Sequence, residues 1–263
     1  MIKRELIANI KGFIICTSVL VGMLLLVFLV YPYIITEENM QSMEELMKAF
    51  PEDVLKAFNM DIASIDTAYG WLKSEGYIFI LLAFGIYSSI LGINIVYKEE
   101  NEKTIEYLGF LPIKRNKIMT NKIIVSMIYI FSMVIIIGLI DFIALLISCD
   151  FNKLEYLLLS ISPLLISLPL FFVNLFLSTL FKHGKKMIGI SLGLVFVFYF
   201  INMISEISSN AEFLKYFSIY TLADTRNIIA NTKLSGVSVL ISILLSGAFC
   251  FLSYYIYDKK ELV

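Results

Sequence analysis

Residues 123–149 read IIVSMIYIFSMVIIIGLIDFIALLISC, with 17 Ile, Leu, Val or Phe and one formal charge, Asp141. A helix needs about 20 apolar residues to cross a hydrocarbon core of about 30 Å. Lipid offers no partner for backbone N–H and C=O groups, so a crossing segment must satisfy its own hydrogen bonds. The run shows no period-two alternation, which argues against a strand of a membrane β-barrel. Asp near a helix centre costs about 2.5–3.5 kcal/mol on insertion scales, and each Ile, Leu, Val or Phe returns about 0.3–0.6 kcal/mol. The segment therefore inserts as a helix despite its acid.

Five further stretches have the same character: 12–35, 76–97, 156–181, 187–205 and 234–257. Over all 263 residues, 59% are hydrophobic and 16% are charged. Soluble domains are about 45–50% apolar and about 25% charged. Mean hydropathy is +0.85. The expected fold is an all-α membrane protein of six transmembrane helices forming one domain over residues 1–263. The first span has too long an apolar core for a signal peptide, and Tyr31, Pro32 and Tyr33 stand where a small-residue cleavage site would be, so a retained helix is expected. No repeat of 20–50 residues and no inverted-repeat pair is visible.

Net charge is −1, which leaves no basic field for nucleic acid. Cys16, Cys149 and Cys250 lie in or beside apolar runs with no CxxC pair, and His183 is the single histidine. These fit small buried hydrophobes, and a His/Cys metal centre is not expected.

Charge by position sets the topology. With the N-terminus inside, segments 1–11, 98–122, 182–186 and 258–263 hold 14 of the 21 Lys and Arg residues, and the acids run the other way. The positive-inside bias then places both termini in the cytoplasm of a cell whose cytoplasmic membrane the chain spans. Tyr31, Tyr33, Trp71 and Tyr77 mark the outer interface, and Tyr97, Tyr254, Tyr255 and Tyr257 the inner one.

Residues 1–11 carry Ile2, Leu6, Ile7 and Ile10 at helical spacing beside Lys3, Arg4 and Lys11. They read as an interfacial amphipathic helix or as an extension of the first span. The outer loop 36–75 is acidic, and 42–50 and 52–60 have helical spacing on either side of Pro51, giving a structural cap or a gate. The segment 206–233 is the other large outer piece, extracellular or re-entrant. Intramembrane acids usually face a bundle interior or a wet cavity. Asp141 is thus a candidate for the substrate pathway, or else a protonated acid or interhelical hydrogen bond. Pro163 and Pro169 fall in one span and are hinge candidates, although membrane helices carry proline routinely. Asn94, Asn174 and Asn202 suit helix–helix hydrogen bonds, Gly189-x-x-x-Gly193 suits close packing, and 182–186 reads as a basic turn.

Residues 98–122 read KEENEKTIEYLGFLPIKRNKIMTNK. The pattern predicts a charged helix to Leu108, a break at Gly109 and Pro112, and a restart at Ile113 with Lys114, Arg115, Lys117 and Lys122 near the headgroups. Such a projection is either a docking surface for a cytosolic partner or a solvated loop.

Glu102-Lys103-Thr104-Ile105-Glu106-Tyr107-Leu108, then Leu111-Pro112-Ile113-Lys114-Arg115, then Ile118 and Lys122, resemble the signature of the type-2 ATP-binding-cassette (ABC) permease family. That signature runs E-x-G-T-x-E-x-L, a gap, P-I-x-R, a hydrophobe and a Lys. Lys103 is a departure, standing where the family often has Gly. Residues 213–229 also resemble the stretch before the family's last span, where short helices dip into the outer leaflet. The resemblance implies six helices, both termini inside, an N-terminal interfacial helix, a coupling helix in 98–122, and a permease homo- or heterodimer. Glu102, Thr104, Glu106, Leu108, Pro112 and Arg115 are then the residues that couple to a cytosolic ABC ATPase subunit. No G-x-x-x-x-G-K-[ST] occurs, so ATP and Mg belong on that partner and no cofactor is expected on this chain.

The expected function is that of the membrane permease subunit of an ABC exporter, not an enzyme in itself. The lean to export of a small or amphipathic compound rests on the absence of a large extracellular domain. The alternative is a secondary transporter or channel, which more intramembrane charges, broken helices or a filter-like Gly run would favour. A membrane protease in the manner of Glu99-Glu100 sites needs histidines that a lone His183 does not supply.

Overall fold

A computed structural model of the chain describes residues 2–34, 67–101, 115–181, 184–207 and 209–259, together with Glu45 and Phe50. Six long helices carry the fold: α1 (Ile2–Ile34), α2 (Tyr77–Asn101), α3 (Arg115–Ser148), α4 (Lys153–Leu180), α5 (Gly184–Ile207) and α6 (Gly236–Lys259). All six are long and apolar enough to cross a membrane. Among the described residues there is no strand.

The bundle is built around α2 and α4, whose most apolar windows are 61% and 67% buried, against 17% in α1, α5 and α6. α6 and α5 flank this pair, on α4 and α2 respectively, and α1 lies along α3. The central contact depends on Gly92. A Cβ there would stand 2.5 Å from the Phe171 carbonyl oxygen and 3.1 Å from the Leu175 nitrogen, so only glycine lets the two backbones approach this closely. The expected close-packing pair does not serve this purpose, because a Cβ at Gly189 or Gly193 meets nothing within 4 Å.

The structure moves several expected boundaries. Residues 2–11 are not a separate interfacial element but the opening turns of α1, with no proline to interrupt them. At 33 residues the helix is about 50 Å long, so its first turns extend past a core of about 30 Å. The outer segment expected over 36–75 gives way to helix at Ala68, capped by the Thr67 hydroxyl, which accepts from the Gly70 N–H at 3.0 Å. A π-helical turn, Leu72–Gly76, then feeds directly into α2. Its Lys73 pairs with Glu155 at 3.1 Å and lies 4.7 Å from the Tyr69 ring centre, fastening this turn to the start of α4. The short helices expected within 42–50 and 52–60 lie outside the described residues, apart from Glu45 and Phe50.

Between α5 and α6 come three short helices, Ser209–Phe217, Tyr220–Ala223 and Thr225–Asn231. They are tied to α5 by Ser218, whose hydroxyl donates to the Phe198 carbonyl at 2.6 Å, and by Thr221, whose hydroxyl donates to Asn202 Oδ1 at 2.9 Å. Arg226 pairs with Glu206 at 3.0 Å. Tyr220 reaches into the bundle beside Gly85, where any Cβ would collide with its hydroxyl. Gly85 lies eight residues into α2, about 12 Å from its N-terminal end.

Candidate functional site

Three features could carry function: the polar stems of the 98–122 segment, the prolines and Asp141 inside the bundle, and a groove between α1 and α2.

α2 ends at Asn101 and α3 starts at Arg115, so Glu102, Thr104, Glu106, Leu108 and Pro112 lie outside the described residues. The expected restart at Ile113 lies outside the described residues; Arg115 is the first described residue of α3, and its guanidinium donates to the Asp258 carbonyl at 3.0 Å. The two stems are bound to the opening turns of α1. Lys98 donates to the Ala8 carbonyl at 2.7 Å. Lys122, only 1% exposed, donates to the Ile95 carbonyl at 2.5 Å and stands 3.8 Å from Glu5. Tyr129 on α3 donates to the Leu6 carbonyl at 2.5 Å. A buried ammonium needs such partners, because desolvation of an unpaired charge costs several kcal/mol. The residues singled out at the end of the family-like signature and in the first turns of α1 thus meet in one latch. Glu5 had no distinguishing signal in the sequence, since its partner is 117 residues away.

Both prolines sit inside a continuous α4. Each lacks the N–H that would bond the carbonyl four residues earlier. For Pro163 that carbonyl is Leu159, and the neighbouring Ser162 hydroxyl donates to it at 2.8 Å. For Pro169 it is Leu165, and the donor is Ser242 of α6 at 2.8 Å. The second proline therefore frees an acceptor that docks the last helix. Ser242→Ala is expected to destabilise by about 1 kcal/mol, in the range of interhelical hydrogen bonds in membranes. In a Pro169→Ala background the restored N–H satisfies Leu165, and Ser242→Ala becomes nearly silent. Equilibrium unfolding of the four variants in mixed micelles measures this coupling.

Asp141 is 2% exposed, among α2, α3 and α4, and its Oδ1 has no hydrogen-bond partner among the described residues. A cavity of about 10 Å³ beside it is lined by Tyr77, Ser160 and Pro163, with space for about one water-sized group. None of its lining residues borders the α1–α2 groove. Asn202 bonds across elements to Thr221, whereas Asn174 donates to the Leu170 carbonyl of its own helix.

The groove has a volume of about 830 Å³ and runs between one face of α1 from Ala8 to Met23 and one face of α2 from Phe79 to Lys98. On α2 that is nearly the height of a hydrocarbon core, about 28 Å at 1.5 Å per residue. Its polar residues gather at the Lys98 end: Asn9, Asn94, Tyr97 and Lys98. Val19, Met23, Phe79 and Leu82 make the other end apolar. The groove has no trace in the sequence, because it joins faces of two apolar helices about 70 residues apart in the chain.

Among the described residues no group of His, Cys, Asp and Glu could hold a metal ion. A family model described as ABC-2 family transporter protein matches residues 3–262. Neither a curated protein nor a solved structure matches the chain.

Proposed function

The chain belongs to the ABC-2 family of transporter proteins, and on that premise we propose that it is the permease half of an exporter driven by a separate ATPase. Its family and its six spans make it a multi-pass membrane protein and a membrane subunit of an ABC transporter. In the finer reading, both termini face the cytoplasm of a cell bounded by the membrane it spans. Two permease chains pair, and a P-loop ATPase that holds ATP and Mg grips each 98–122 segment. ATP binding then favours one state of the membrane dimer over the other. Coupling of this kind requires that the ATPase interact differently with the two states.

The observation that carries this reading is the latch at the base of the segment. Lys98 and Lys122 join both stems to the opening turns of α1, so a force applied at the segment moves three helices together. Glu102, Thr104, Glu106, Leu108, Pro112 and Arg115 form the grip in this proposal. Asp141 is a polar contact inside the bundle, outside the groove, and Asp141→Asn is expected to leave ATPase binding unchanged.

Glu106→Lys is expected to weaken co-purification of the ATPase by about tenfold or more, as loss of a charged hydrogen bond of about 1.5–3 kcal/mol implies. The amount of chain in the membrane should stay the same. Arg115→Glu should act likewise, though it also removes the bond to the Asp258 carbonyl. Full retention of the ATPase by both variants contradicts the assignment.

A further inference from the structure

The C-terminal end of α6 is tied to the opening of α3. Arg115 donates to the carbonyl of Asp258, the next-to-last residue of α6, at 3.0 Å. The final carbonyls of a helix lack partners within it and carry the negative end of its dipole, so a guanidinium there is a favourable cap. Further along α3, the Thr120 and Tyr254 hydroxyls are 2.8 Å apart. Thr120 gives its one hydroxyl proton to the Asn116 carbonyl at 2.7 Å, which makes Tyr254 the donor to Thr120. Tyr254 and Asp258 stand at i and i+4 and so share one face of α6. Tyr257, between them, is 2% exposed and belongs to the main core, so this end of the helix is firmly packed.

We propose that this anchor makes α6 the element that carries movement of the 98–122 segment to the opposite end of the bundle, with Thr120 and Tyr254 as positioning residues. The inference rests on the permease reading. Three observations suit α6 to the task. No proline interrupts it, and from Gly236 to Asp258 it runs about 33 Å, the full depth of a hydrocarbon core. It lies at the edge of the bundle, with Val237, Leu240, Leu244 and Phe251 exposed. It can therefore slide along α4 and leave the α2–α4 core in place, as in a shear between packed helices. Beyond α4 it touches the short helix Tyr220–Ala223, which seats Tyr220 beside Gly85. Movement of α6 thus reaches a segment that is itself keyed into α2.

A tie that only holds the fold together would affect stability and not the response to nucleotide. The test uses the full chain with its co-purified ATPase in phosphatidylcholine nanodiscs, where both faces are open to reagent. Cys16, Cys149 and Cys250 are replaced, and Ser238→Cys places a reporter at a half-buried position in the first turn of α6. Its rate of reaction with a maleimide is measured without nucleotide and with ATP and orthovanadate. A state populated to about 10% or less becomes dominant, so the rate is expected to change about tenfold. Thr120→Val and Tyr254→Phe should each shrink that ratio about threefold, within the roughly twofold to tenfold effect of one net hydrogen bond on an equilibrium. Thr120→Ser keeps the hydroxyl and should keep the full ratio. ATPase co-purification and the thermal midpoint should be the same in all of these chains. An unchanged ratio in Thr120→Val and Tyr254→Phe overturns the proposal. A smaller ratio accompanied by loss of the ATPase or by a lowered midpoint also overturns it, since the anchor then belongs to the grip or to the fold alone. If the chain with intact Thr120 and Tyr254 binds the ATPase and shows no nucleotide effect at the reporter, the permease reading stands and this inference falls. If that chain co-purifies with no ATPase, both fall.

Discussion

Replacing Glu5 with Leu is expected to lower the stability of the chain in mixed micelles by about 3 kcal/mol, and adding Lys122→Met should restore most of the loss. Lys122 is 1% exposed and Glu5 7%, so the pair is held away from water. Removing one partner of a buried pair costs about 3–5 kcal/mol because the other charge is stranded, whereas replacing both with apolar groups is often neutral. The lower end applies here. The Glu5–Lys122 separation of 3.8 Å is long, and the closer bond of Lys122, to the Ile95 carbonyl, survives the single change. Equilibrium unfolding of the two single variants and the double variant gives the coupling energy directly. A loss under about 0.5 kcal/mol for Glu5→Leu would make the pair equivalent to an exposed salt bridge.

Gly92→Ala is the second large effect, expected to destabilise by about 1–3 kcal/mol, the usual range for an added methyl in a well-packed core. The new Cβ would meet the Phe171 carbonyl at 2.5 Å and the Asn174 Cβ at 3.1 Å, and neither is the end of a flexible side chain. α2 and α4 would have to separate along their whole contact, which is the centre of the bundle. Gly189→Ala is the control, since its Cβ meets nothing within 4 Å. Thermal unfolding monitored by tryptophan fluorescence of Trp71 compares the two. Equal midpoints for both variants would mean that α2 and α4 do not approach as closely as the structure places them.

The six helices were legible because lipid leaves a strong trace in sequence: long apolar runs with charges displaced to their ends. The sequence bounds of the third span, 123–149, and the helix Arg115–Ser148 differ mainly at the N-terminal end. There Arg115, Lys117 and Lys122 extend the helix past the hydrocarbon instead of ending it. The same reason left residues 1–11 open between a separate interfacial element and an extension of the first span, and α1, from Ile2, runs through them without a break. Apolar periodicity says where a helix meets lipid and does not say where it stops. Glycine spacing misled for a related reason. Gly189 and Gly193 form the recognisable pattern, but the close approach falls at Gly92, where the partner is the backbone of α4.

The candidate site was legible in one part only. The signature in 98–122 pointed to the family, and the match over residues 3–262 agrees with it. The latch, the groove and the tie from α3 to the end of α6 could not be read, since each joins residues that are far apart in the chain. Pro169 was visible as a proline and nothing more. Its role as an acceptor-exposing residue for α6 depends on Ser242, 73 positions away. Asp141, the most conspicuous residue of the third span, lies beside a small cavity among α2, α3 and α4.

The central claim is that the segment between α2 and α3 faces the compartment that holds the ATPase. In a chain with Cys16, Cys149 and Cys250 replaced, a single cysteine at Thr104 can be reacted with a membrane-impermeant maleimide in intact and in permeabilised cells. The account predicts no labelling in intact cells, full labelling after permeabilisation, and protection when the ATPase is co-expressed. Labelling of intact cells would contradict it.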